Sequence, residues 1–130
     1  MDGLHPNTLP KKERLCGKTG IEKLLARGRH GNMSELRYIF LSGTEMPYNR
    51  ILVSVPKKLF KRAVKRNLLK RRIRECWRKQ KHSLNAQAGI DILFIYSTKE
   101  ILTYQDIYVR VGQIIEKINE RVAKQDSAHS

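Results

Sequence analysis

From Ala63 to Lys81 the chain runs without glycine or proline and is dense in Arg, Lys and Leu, all good helix formers. The stretch predicts a helix of about five turns. Within it Leu69, Ile73, Cys76 and Trp77 recur at intervals of four, three and one, a single stripe that a core has to cover. Apolar runs with strand patterning stand on both sides, Arg50 to Val55 before it and Gly89 to Ser97 after it, so the helix sits between two strands of a sheet.

The rest of that helix is cationic. Arg66, Lys70, Arg74 and Arg78 follow at intervals of four, with Asn67 and Arg71 beside them, on the face turned away from the apolar stripe, and Lys65, Arg72 and Lys79 flank it. Between Lys57 and His82 thirteen Lys and Arg stand against one acid, Glu75, which gives this segment +12 of the chain's +15 net charge. A solvated helix normally mixes signs, because like charges at i,i+4 cost a few tenths of a kcal/mol per pair. Self-repulsion on this scale points to a polyanion, and nucleic acid is the commonest one in a cell. A strand precedes the helix where a DNA major-groove reader would have a short helix and tight turn, so RNA is favoured.

Phe60, Ala63 and Val64 fall on the basic side, so the apolar phase breaks there. The break predicts a turn or tight first helical turn over Lys57 to Val64 that packs its own apolar residues. It places Arg66 and Asn67 near the helix N-terminus, where the dipole favours anions. Asn67 either caps the helix or contacts RNA.

Elsewhere, Thr19 and Glu22 form a capping box before Ile21, Leu24 and Leu25, a first helix that Gly28 ends. His30 to Ser34 reads as a polar turn. Leu36 to Ser42 reads as a strand with Tyr38 and Phe40 on one face and Ile39 and Leu41 on the other. In the strand Arg50 to Val55, Ser54 alternates with apolar positions and either lines a cleft or faces solvent, and Pro56 stops the strand. Gly89 to Ser97 is apolar on both faces, as a central strand is. A last helix, capped by Thr103 with Asp106, runs from Tyr104 to Val122 at helical spacing.

The expected architecture is α+β, a small mixed sheet with helices packed on it. One RNA-binding domain is expected over residues 11–123, with a flexible segment over 1–10 and a disordered tail over 124–130. No apolar run approaches the roughly 20 residues needed to span a bilayer, and Met1 to Pro10 lacks a signal-peptide core, so a cytoplasmic protein without membrane contact is expected. Cys16 and Cys76 are expected as reduced thiols, and His5, His30, His82 and His129 lack metal-ligand spacing. The twelve acids are scattered singly, which argues against a protein-borne two-metal nuclease site.

Lys57-Lys58, Ala63-Val64-Lys65-Arg66-Asn67 and Lys70-Arg71-Arg72-Ile73-Arg74-Glu75, after a strand ending Val53-Ser54-Val55, closely resemble the signature of the bacterial ribonuclease P protein subunit. Asp91 with its apolar run and the first helix ending at Gly28 are also similar to that family, over about 105 residues. The resemblance implies the element order α-β-β(-β)-α-β-α with a left-handed β-α-β crossover holding the basic helix, a ribosomal protein S5 domain 2-like fold. It implies a protein subunit that assists a catalytic RNA in removing the 5′ leader of precursor tRNA. The Mg²⁺ ions are then held by the RNA, no catalytic residue lies in the protein, and no protein partner is implied. Lys57, Lys58, Lys65, Arg66, Asn67, Lys70, Arg71, Arg74 and Arg78 are expected to bind the catalytic RNA.

By the same resemblance a cleft between the first helix and the sheet takes the leader, with Ile21, Leu25, Tyr38, Phe40 and Ser54 as its expected lining. Ile21 and Leu25 stand where many members carry Phe. Tyr38 and Phe40 are the aromatics available for stacking, if they are not core. Leu68 stands where the family usually has a second Arg, and Lys65 or Arg72 is the expected compensation. The alternatives are a ribosomal or chaperone-type RNA-binding protein without a catalytic partner, and a DNA-binding regulator.

Overall fold

The computed structural model describes residues 9–128, with side chains to residue 124. Four strands form one sheet: β1 (Arg29–Met33), β2 (Leu36–Ser42), β3 (Arg50–Ser54) and β4 (Ile90–Tyr96), in the order β1-β2-β4-β3. Three helices complete the fold, α1 (Lys18–Arg27), α2 (Ala63–Gln80) and α3 (Tyr104–Ala128). β1 and β2 pair antiparallel, as do β2 and β4, whereas β3 and β4 pair parallel. A parallel pair needs a crossover, and the basic helix α2 supplies it.

The register sorts every strand residue onto one of two faces. Phe40, Ile92 and Ile51 form one cross-strand row, and Tyr38, Phe94 and Val53 the next. Both rows belong to the main core, which Leu69, Ile73, Cys76 and Trp77 of α2 and Ile107, Val111, Ile114 and Ile118 of α3 cover. Trp77 meets Phe94 with ring centroids 6.1 Å apart. On the other face, α1 lays fully buried Leu24 over Ile39 and Leu93, and Leu15 joins them in a second, smaller core. β4, apolar on both faces in sequence, occupies the interior position that reading requires.

Several expectations change. His30 to Ser34 is not a turn, because β1 occupies it and only Ser34 and Glu35 turn, with Ser34 at φ 57°. Arg-His-Gly-Asn-Met carries no apolar alternation because β1 is an edge strand with most side chains open to water. Gly31 is required there, since a Cβ would lie 2.1 Å from the Tyr38 ring. The Thr19 capping box does not form: α1 begins at Lys18, and Gly17, at φ 95°, holds the cap position with no side-chain bond. Thr103 does cap α3, its Oγ1 accepting from the Asp106 N–H at 3.1 Å.

At the N-terminal end, Leu9 is 2% exposed and belongs to the main core rather than to a flexible segment. The expectation for residues 1–8 lies outside the described residues. Residues 11–15 then run along the open edge of β3, where Arg14 bridges Ile51 and the Leu15 N–H donates to the Ile51 carbonyl at 2.7 Å. This covers an edge that would otherwise present unpaired backbone groups. The last helix continues to Ala128, past residue 123, where the ordered domain was expected to end.

Candidate nucleic-acid interface

The chain leaves β3 through a turn in which the N–H groups of Leu59 and Phe60 both reach the Pro56 carbonyl. Phe60 tucks into the core, edge-on to Tyr96 at 5.8 Å. The phase break is therefore real, but only Phe60 packs as expected. Ala63 is exposed and Val64 is 79% exposed, because the helix begins at Ala63 and turns both outward.

Arg66 does not project into solvent. Its Nη1 donates to the carbonyls of Phe60 at 2.7 Å and Lys61 at 2.8 Å, folding the side chain back over the turn that starts the helix. At 100° per residue the row Arg66, Lys70, Arg74, Arg78 drifts around the helix, so it spans from the core flank to the outer face instead of lying on one face. Arg66, Lys70 and Arg74 are half-buried. Arg78 pairs with Glu75, donating at 3.2 Å from Nε and 2.6 Å from Nη2, and this holds the Glu75 carboxyl below its ordinary range. Lys79 also approaches Glu75, at 3.9 Å.

Lys57, Lys58, Lys65, Lys70, Arg71 and Arg74 have no ion pair among the described residues. Burial lowers the pKa of Arg74, and Arg14 beside it pushes the same way. Asn67 is exposed in the second turn and Arg62 holds the cap position without a side-chain bond, so Asn67 is not the cap. Arg72 donates to the Leu102 carbonyl at 2.6 Å, tying α2 to the start of α3, and is not free to replace an arginine at Leu68. Lys65 is exposed and remains so placed.

On the opposite face of the sheet, α1 leaves one row partly open. Asn32, Arg37, Ile95 and Ser54 are successive register partners across β1, β2, β4 and β3, and all point to the α1 side. Ile95 and Ser54 are half-buried, and Asn32 and Arg37 are exposed. Ile21 packs against the small core there, and Leu25, 53% exposed, stands one turn further along the helix. Ile21, Leu25 and Ser54 thus belong to the α1 side of the sheet.

Tyr38 and Phe40 do not join them. They face the α2 and α3 side, 2% and 0% exposed, with the Arg121 guanidinium 5.0 Å from the Phe40 ring centroid. The side-chain period of two in a strand decides this, because Ile39 takes the α1 face and its neighbours cannot. Arg14, Arg37 and Ile95 were not singled out from the sequence. Arg37 and Ile95 were legible as alternate partners of Ile39 and Leu93, whereas nothing local marks Arg14 as a neighbour of α2.

Cys76 is buried, and burial pushes its thiol up to about 12, while Cys16 is exposed. Among the described residues no three His, Cys, Asp or Glu side chains converge on a possible metal position. Among the described residues no helix is long and apolar enough to cross a membrane.

A four-stranded sheet with a short helix on one face, and on the other a crossover helix whose cations in part lack acid partners among the described residues, defines a small α+β domain. Residues 9–119 match the family model for ribonuclease P. The ribonuclease P protein component of Borrelia hermsii is 32% identical over 114 residues, covering 85% of this chain and 97% of that protein. That of Porphyromonas gingivalis strain W83 is 43% identical over 79 residues, and the match spans 58% of its length. The Staphylococcus aureus RNase P protein superposes with a TM-score of 0.67 at 25% identity, over 82% of this chain and 94% of that one. The Thermotoga maritima protein gives a TM-score of 0.70 at 23% identity, over 81% and 96%. The chain belongs to the ribonuclease P protein family.

Proposed function

We propose that this chain is the protein subunit of ribonuclease P, binding the catalytic RNA through α2 and the 5′ leader of precursor tRNA through the cleft beside α1. The observation that carries the reading is the set of unneutralised cations on α2 and its preceding turn. Among the described residues Lys70, Arg71 and Arg74 have no acid partner, although Glu75 lies on the same helix and is taken up by Arg78. Phosphates of a folded RNA are the complement, met by shape and charge more than by base reading. Lys57 and Lys58 extend that surface onto the turn after β3.

The cleft suits a single strand. On the α1 side of the sheet Ile95 and Ile21 are apolar and half-buried, Leu25 is exposed on the same helix, and Ser54 and Arg37, the register partners of Ile95, add a hydroxyl and a cation. Bases would lie on aliphatic side chains, with no ring to stack on. The described residues offer neither a convergent carboxylate set nor a paired acid and base, so in this reading the RNA holds the Mg²⁺ and performs the cleavage. Cytoplasmic residence follows from the same role.

Reconstitution tests the proposal. The purified chain, added to a cognate catalytic RNA at low Mg²⁺, is expected to accelerate leader removal from a precursor tRNA. Binding of RNA without any acceleration would make the chain an RNA-binding protein of another kind.

A further inference from the structure

Beyond the C-terminal end of the cationic surface, α2 and the edge segment enclose a pocket of about 270 Å³ whose lining includes Lys12, Glu13, Tyr48, Trp77, Lys81 and His82. The pocket lies at the C-terminal end of that helix: Trp77 is on α2, and Lys81 and His82 follow it directly. Its chemistry differs from the rest of the helix. Three rings, Tyr48, Trp77 and His82, meet two ammonium groups, and its volume lies just under the roughly 300–1,000 Å³ of ordinary small-ligand pockets.

Its polar groups are unevenly used. Lys81 Nζ is tied to Glu13 Oε1 at 2.7 Å. Among the described residues Lys12 Nζ meets the Tyr48 ring alone, 5.7 Å from its centroid, a contact that an arriving phosphate displaces easily. The indole N–H of Trp77 is buried with no acceptor. Accessible rings at Tyr48 and His82, an exposed cation at the rim and an orphan donor at Trp77 are what one unpaired nucleotide needs: surfaces for the base, a counter-charge for its phosphate, and a donor for a base-edge oxygen or nitrogen.

We propose that this pocket accepts a single unpaired base of the RNA bound on α2, with Lys12 taking its 5′ or 3′ phosphate. The inference rests on the proposed RNA partner and adds to it a point of base contact on a surface otherwise suited to phosphates.

Trp77 is the only tryptophan, so it reports on the pocket directly. The full chain is titrated with AMP and with UMP while Trp77 emission and the indole N–H resonance are followed, with inorganic phosphate and Tyr48→Leu as controls. The expected result is a saturable shift with a nucleotide that phosphate alone does not produce, weakened about tenfold by Tyr48→Leu and retained by Tyr48→Phe. No shift with either nucleotide, or an equal shift with phosphate, overturns the base pocket. The affinity of the same chain for a structured RNA separates the two claims. Tight RNA binding that Tyr48→Leu leaves unchanged overturns the pocket alone, whereas no RNA binding at all overturns the proposed function as well.

Discussion

Arg74 of α2 has its pKa lowered by burial and by the charge of Arg14 on the edge segment, and neither guanidinium has a carboxylate partner among the described residues. A half-buried cation next to another is a local cost to folding. Arg74→Met keeps the aliphatic packing and removes the repulsion. It is expected to leave stability unchanged or raise it by up to about 1 kcal/mol, and to weaken RNA binding with a salt slope shallower by about one unit. Urea unfolding and RNA titration over a range of salt read the two effects separately. A loss of more than about 1 kcal/mol would mean Arg74 has a stabilising partner.

Arg66 behaves in the opposite way. Because its guanidinium holds the Phe60 and Lys61 carbonyls, Arg66→Ala is expected to cost about 1–3 kcal/mol of stability, whereas exposed Arg71→Ala stays within about 0.5 kcal/mol. Chemical denaturation of the two variants checks this. Equal stabilities would place Arg66 in solvent.

The Arg50–Asp91 pair joins register partners on β3 and β4, with bonds of 2.8 and 2.7 Å, and Asp91 is 2% exposed. Asp91→Ala leaves Arg50 unpaired near the small core and is expected to destabilise by roughly 3–5 kcal/mol, read as a lower urea midpoint. A shift below about 1 kcal/mol would show that water already screens the pair.

The two cysteines differ in reactivity. Cys16 is exposed, while burial raises the Cys76 thiol to about 12, so at neutral pH a thiol reagent is expected to label Cys16 in the folded chain and Cys76 only on unfolding. Fast labelling of both sites would mean that α2 opens from the sheet.

Acid tests the carboxylates. Hydrogen bonds from Arg78 to Glu75 and from Arg110 to Glu35 hold both carboxyls below the ordinary value of 4.5. A depressed folded pKa gives stability that is present above the unfolded value and lost as pH falls through the folded one. Stability is therefore expected to decline below about pH 4.5, and Glu75→Gln to flatten that decline. An unchanged profile in the variant would assign the acid sensitivity elsewhere.

The sequence made the sheet and helix order legible because Leu69, Ile73 and Trp77, and separately Ile107, Val111 and Ile114, repeat at helical spacing on strongly apolar stripes. β1 was hidden, since an edge strand with solvent on most of its side chains has no reason to alternate. The α2 surface was legible as charge but not as geometry. Spacing cannot show that Arg66 folds back, that Arg78 is neutralised by Glu75, or that Arg72 is taken by Leu102. Tyr38 and Phe40 were offered as cleft residues because they are aromatic, and strand alternation puts them on the core side.

The most direct measurement is the rate of leader removal from a precursor tRNA by its cognate catalytic RNA at low Mg²⁺, with no protein, with this chain, and with the Lys70→Ala, Arg71→Ala, Arg74→Ala triple variant. The account predicts acceleration by the chain and its loss in the triple variant, which unfolds at the same urea midpoint or higher. No acceleration at any Mg²⁺ concentration, or full acceleration by the triple variant, contradicts it.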